Sequence, residues 1–177
     1  MSSFKDRIIR AAKLDVKLYE EVEADKGAMV QAMVIVVLAS IAGGLGSLGK
    51  GGVSGLIWGT AIALIAWYVW AYVTYIVGTK ILHEPQTRAD YGELLRTIGF
   101  SSSPGLIRIL GIIPGLAWIV FLIAGIWMLV AMVVAVRQAL DYKSTFRAVG
   151  VCLIGWIIQA LIIALFFSIL GGFEKPA

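Results

Sequence analysis

Gly115–Val136 reads GLAWIVFLIAGIWMLVAMVVAV, 22 residues without a charged side chain. As a helix at 1.5 Å per residue it is about 33 Å long, enough to cross a hydrocarbon core of about 30 Å. Four more apolar stretches flank it, at Ala28–Ser47, Val53–Thr79, Leu94–Ile113 and Phe146–Leu170. An unpaired backbone group in lipid costs several kcal/mol, so such stretches must be helices. The composition agrees: 60% of residues are hydrophobic and 15% charged, against about 25% charged in soluble domains. The expected fold is therefore all-α: a polytopic membrane protein with five transmembrane helices and an N-terminal cytoplasmic amphipathic helix. It divides into a cytoplasmic helix over 1–27, a membrane domain over 28–170 and a short tail over 171–177.

Lys and Arg collect in three places: Lys5, Arg7, Arg10, Lys13, Lys17 and Lys26; Lys80, Arg88 and Arg96; and Arg137, Lys143 and Arg147. With five crossings and the N-terminus inside, these twelve cations lie in the cytoplasm and only Lys50, Arg108 and Lys175 lie outside, in line with the positive-inside rule. A rival topology makes the third stretch re-entrant, because it contains Ser101-Ser102-Ser103-Pro104-Gly105 and Arg108. That count is eleven to four. The short fourth-to-fifth loop, with three cations and the single acid Asp141, favours five crossings. A net charge of +4 borne on helix flanks is no nucleic-acid signal.

Residues 3–25 read as one amphipathic helix that starts on Ser3 and Asp6. Phe4, Ile8, Ala11, Leu14, Leu18, Tyr19 and Val22 share a face, with Arg10, Lys13 and Lys17 opposite. Such a helix can lie among headgroups with its cations toward anionic lipid. Asp15 projects into the apolar face and is easier against protein than against lipid. The acidic run Glu20, Glu21, Glu23 and Asp25 is either a solvated helix end or a docking surface. In the second reading Asp15, Glu20, Glu21 and Glu23 dock onto Arg137, Lys143 and Arg147, or each set docks onto a partner.

Gly43–Gly52 resembles a phosphate loop only in glycine content: Lys50 is followed by Gly51 rather than Ser or Thr, and no strand precedes it. It reads as a tight turn. Gly51, Gly55, Gly59 and Ala63 recur every four residues, a small-residue ridge suited to close helix packing. Trp67 and Trp70 lie too deep for an interfacial belt and read as packing. Thr87 is placed to cap a helix that Asp90 supports. Arg96 and Arg108 can each snorkel to the nearer interface, and Pro104 should kink the third helix, with the three serines taking up freed carbonyls.

No cofactor-binding or metal-ligand set emerges. His83 with Glu84 and Asp90 offers too few ligands for a metal, and Cys152 lies alone in an apolar segment. No nucleophile is arranged with a base, so the chain reads as non-enzymatic. Ionisable side chains are nearly absent at lipid depth, where Gln31 and Gln159 are the main polar residues. A proton or ion relay usually needs more.

Three motifs resemble the Yip family of small multispanning membrane proteins. Gly99-Phe100-Ser101-Ser102-Ser103-Pro104-Gly105-Leu106 is similar to that family's break in the third helix. Ile126-Trp127 matches its tryptophan position in the fourth. Ala135-Val136-Arg137-Gln138-Ala139-Leu140, with Ser144 and Ala148, resembles its connection into the fifth. The likeness covers about residues 28–170 and implies five helices with the N-terminus inside. The chain lacks the Asp-Leu-Tyr-Gly-Pro motif of the longer eukaryotic N-terminal region, which argues against small-GTPase binding. It is closer to the short prokaryotic members, and so to a prokaryotic inner membrane rather than Golgi or ER. The expected role is a scaffold or accessory protein that organises membrane or binds another membrane protein or itself. A small transporter or channel, with Arg96, Arg108 and Pro104 along its path, is the alternative.

Overall fold

A computed structural model describes residues 2–47 and 52–171. Every regular element among them is helical. Helices α1 (Phe4–Ala12) and α2 (Val16–Ala24) form an N-terminal hairpin. Helix α3 (Ala28–Gly46) follows, then α4 (Gly52–Ile76), which runs on into a π-turn at Val77–Ile81. Helix α5 (Tyr91–Phe100) leads into a 3₁₀ helix at Ser103–Ile112, and α6 (Ala117–Ala139) and α7 (Thr145–Gly171) complete the bundle. Among the described residues, four helices are long and apolar enough to cross a membrane: Ala28–Gly46, Gly52–Ile81, Ala117–Ala139 and Thr145–Ile162. Their outward faces carry large apolar side chains such as Val53, Trp118 and Ile157, which suits lipid rather than water.

The N-terminal segment is two helices, not one. Leu14 takes a left-handed backbone (φ 61°), and Asp15 caps α2 by accepting from Lys17 N at 3.0 Å. A short carboxylate that bonds its own backbone competes with helix continuation. Asp15 therefore leaves the apolar face on which a continuous helix would have placed it. Ser3 caps α1 by accepting from Asp6 N.

The third apolar stretch is also divided. Helix α5 starts at Asp90, which forms a capping box with Glu93. Thr87 instead accepts from Glu84 N within the preceding loop. After Phe100 the chain turns, and Pro104 stands in the first turn of the 3₁₀ helix rather than inside a kinked α-helix. Pro at that place loses no intrahelical donor. Ser101 and Ser103 hydroxyls donate to the carbonyls of Ile98 and Phe100.

This divided segment runs parallel to α3. Gly99 lies against Ala32, Gly105 against Ala39 and Gly111 against Gly46, a stretch of α3 about 21 Å long. A Cβ on Gly46 would collide with the Arg108 carbonyl, and one on Gly111 would lie 2.6 Å from the Gly46 oxygen. The ridge proposed at Gly55, Gly59 and Ala63 is not where backbones meet. No described atom lies within 4 Å of a Cβ built on Gly55 or Gly59, and Gly51 lies outside the described residues.

Candidate functional site

Two places concentrate polar chemistry. The first is the end of the bundle where the hairpin, the α4–α5 connection and the α6–α7 connection meet. Leu18, Tyr19 and Val22 of α2 are fully buried, as are Leu94 and Phe100 of α5. Arg96 of α5 is 5% exposed. Its Nε donates to the Val22 carbonyl at 2.9 Å, and its guanidinium also reaches the Glu23 carbonyl. A cation on the last carbonyls of a helix is favourable, so Arg96 holds the hairpin to the bundle instead of reaching for an interface. Trp127 donates from Nε1 to the Ala12 carbonyl at 2.7 Å. Trp127 stands twelve residues, about 18 Å, from the end of α6, so the hairpin extends well along the bundle wall.

Within the hairpin, Arg7 Nη2 is 2.9 Å from both Glu21 and Asp25, and Nη1 donates to Gln31. Arg10 bridges Asp15 and Glu21, each at 2.7 Å. The Ser2 hydroxyl, with Arg10 and Arg7, holds the Glu21 carboxyl down to about 2. Burial, reinforced by Glu93 and Asp141, pushes Glu23 up to about 7.

The connections lock onto each other. The Tyr142 hydroxyl is 2.8 Å from the carbonyl oxygens of both Gly78 and Leu82, and burial raises it to about 12. Buried Glu84 pairs with Arg147 at 3.2 Å and accepts from Lys143 N. Arg137 donates to the carbonyls of Tyr142 and Lys143.

Among the described residues, then, the acidic run and the Arg137–Lys143–Arg147 cluster do not pair with one another. Glu21 and Asp15 are taken by Arg7 and Arg10, and Arg147 by Glu84. The one link between the two regions is Gln138 Nε2 to Glu20 at 3.4 Å. Lys5, Lys13, Lys17, Lys26, Lys80, Arg88 and Lys143 remain exposed.

The second place is a cleft of about 760 Å³, open on one side and bounded by α3, α4, the 3₁₀ helix, α6 and α7. Gly55, Gly59 and Ala63 line it, as do Trp67, Trp70 and Trp156. Arg108 turns into it: Nε donates to the Gly105 carbonyl and Nη2 to the Ala39 carbonyl, both at 3.1 Å. Among the described residues, no acidic side chain lines it. Gln159 Oε1 is buried there without a hydrogen-bond partner among the described residues.

The family model for the Yip1 domain matches residues 16–167. Neither the curated proteins nor the solved structures yield a match.

Proposed function

The chain belongs to the Yip family, and on that premise we propose that it is a non-enzymatic scaffold or accessory protein of the membrane, with five crossings and a cytoplasmic N-terminus. The crossing added to the four long helices is the α5–3₁₀ segment, third in chain order, whose parallel register with α3 over about 21 Å supports it. The orientation is supported by the meeting of the Lys80–Arg96 and Arg137–Arg147 segments at one end of the bundle, where Arg96 also holds the C-terminal end of α2.

The observation that carries the scaffold reading is the docked hairpin. Arg7, Arg96 and Trp127 fix it to the bundle, which leaves Lys5, Ile9, Lys13, Val16 and Lys17 facing outward. A rigid platform of cations and isolated apolar side chains suits an anionic lipid surface or an acidic face of another membrane protein. Asp15 and Glu21 have their charge satisfied inside the hairpin, so Lys5, Lys13 and Lys17 dominate the charge it offers to a partner, and Lys143 and half-exposed Arg147 add exposed cations on the α6–α7 connection. Mild-detergent purification at native abundance, with mass spectrometry, tests this. A stoichiometric membrane partner that is lost when Lys13, Lys17 and Lys143 are changed to Glu is expected. A partner-free preparation of the unaltered chain overturns it.

The cleft at Arg108 favours a second reading, a small transporter. Substrate-dependent flux into liposomes that Arg108→Ala abolishes would promote it over the scaffold.

A further inference from the structure

The cleft has a direction. Along α4 its lining runs from Gly55 to Trp70, about 22 Å of helix. Gly43, Gly44, Ser47 and Arg108 line it at the end of the bundle away from the hairpin. Trp67, Trp70, Ile98, Met132 and Trp156 line the other end. A slot that is cationic at one end and aromatic at the other matches an amphiphile lying along the bundle axis. Its volume falls within the range of about 300–1,000 Å³ typical of small-ligand sites.

Arg108 is the reason for a negative headgroup. Its guanidinium has five N–H donors, and among the described residues only the carbonyls of Ala39 and Gly105 accept from it. Both acceptors are neutral, so among the described residues this part-buried charge has no counter-ion. Such a charge is costly unless something pairs with it. Glycines clear the space beside it: Cβ atoms on Gly43 and Gly105 would lie 3.4 and 2.8 Å from its guanidinium. Gln159 Oε1, also lining the slot, has no donor among the described residues and is free to accept from a headgroup hydroxyl. The rim is open on α4 and α7, where Gly55, Gly59 and Ala160 are exposed.

We propose that this slot binds an acidic phospholipid, with the phosphate on Arg108 and an acyl chain against Trp67, Trp70 and Trp156. The site stands apart from the scaffold reading and does not depend on it. Three of the chain's six tryptophans line the slot, so brominated acyl chains bound there quench their fluorescence.

The test uses the full chain in a neutral detergent, titrated with an acidic phospholipid and with phosphatidylcholine carrying the same brominated chains. Saturable quenching by the acidic lipid is expected at about tenfold lower concentration than by phosphatidylcholine. Arg108→Gln should remove that preference and Arg108→Lys should restore much of it. Gly59→Leu fills the slot where no described atom stands within 4 Å, and should abolish saturable quenching with Arg108 intact. Equal midpoints for the two lipids, an unchanged preference in Arg108→Gln, or undiminished quenching in Gly59→Leu would each overturn the assignment. Protection of the tryptophans by inorganic phosphate, with neither lipid quenching, would overturn it in favour of a soluble anion.

Discussion

Arg7 Nη2 stands 2.9 Å from the Glu21 carboxylate and joins the first turn of α1 to the middle of α2. The Arg7 side chain is only 5% exposed, whereas those of Glu21 and Asp25 are 31% exposed. Removing the arginine takes the cation from Asp25, one of two cations from Glu21, which keeps Arg10, and a donor from Gln31. Arg7→Ala should therefore destabilise the hairpin by about 2 kcal/mol, below the usual cost of breaking a fully buried pair because water reaches the acids. Arg10→Ala, at a more exposed position, should cost less. Limited proteolysis after Lys13 or Lys17, compared among the three proteins, reads the difference.

Two of the three acids of α2, Glu21 and Glu23, respond oppositely to pH. Glu21 is held down to about 2 from an ordinary 4.5. Its contribution is complete above pH 4.5 and fades as pH falls toward 2. Glu23 is raised to about 7 by burial, Glu93 and Asp141. Its contribution is complete below pH 4.5 and is lost as pH rises through 7. Hydrogen exchange in α2 should accordingly be slower at pH 5.5 than at pH 8 after correction for the intrinsic rate. Glu23→Gln should flatten that dependence, and an equal pH response in the variant would reject the assignment.

Glycines separate into two classes with opposite expectations. Gly46→Ala drives a Cβ into the Arg108 backbone carbonyl and Gly111→Ala drives one toward the Gly46 oxygen. Backbone cannot step aside as a flexible side chain can, so each should cost about 3 kcal/mol or more. Gly55→Ala has open space around it and should be neutral or stabilising by up to about 1 kcal/mol from helix propensity. Melting temperatures in one detergent compare the three.

The same glycines mark where sequence reading stops. Gly51, Gly55, Gly59 and Ala63 attract notice because spacing of four defines a face of an α-helix. Gly105, Arg108 and Gly111 repeat every three residues, which aligns only at 3.0 residues per turn. The segment is 3₁₀ over Ser103–Ile112, so the contacting face is invisible under a 3.6 period. Pro104 after three serines was the available hint. The long apolar helices and the cation-rich end were legible because length and composition decide them. The break at Leu14 was not, since a non-glycine residue at φ 61° is uncommon and the apolar face of residues 3–25 continues across it. Nor was the partner of Arg147, because Glu84 lies 63 positions away.

Glu84 and Tyr142 tie the two connections at the polar end, and their loss should be felt at both. Glu84 is buried and receives Arg147 and the Lys143 N–H, whereas the Arg147 side chain is 48% exposed. Glu84→Ala leaves a part-buried backbone donor and a half-exposed cation without their acceptor, at a cost of about 1–2 kcal/mol. Arg147→Ala removes only an exposed partner and should cost under about 1 kcal/mol. Tyr142→Phe deletes one hydroxyl between the Gly78 and Leu82 carbonyls and should cost about 1 kcal/mol. Exchange at Lys143 N reads the first change directly: it should speed up in Glu84→Ala and stay nearly unchanged in Arg147→Ala. Equal acceleration in both would mean that the ion pair, rather than the buried acceptor, holds the connections together.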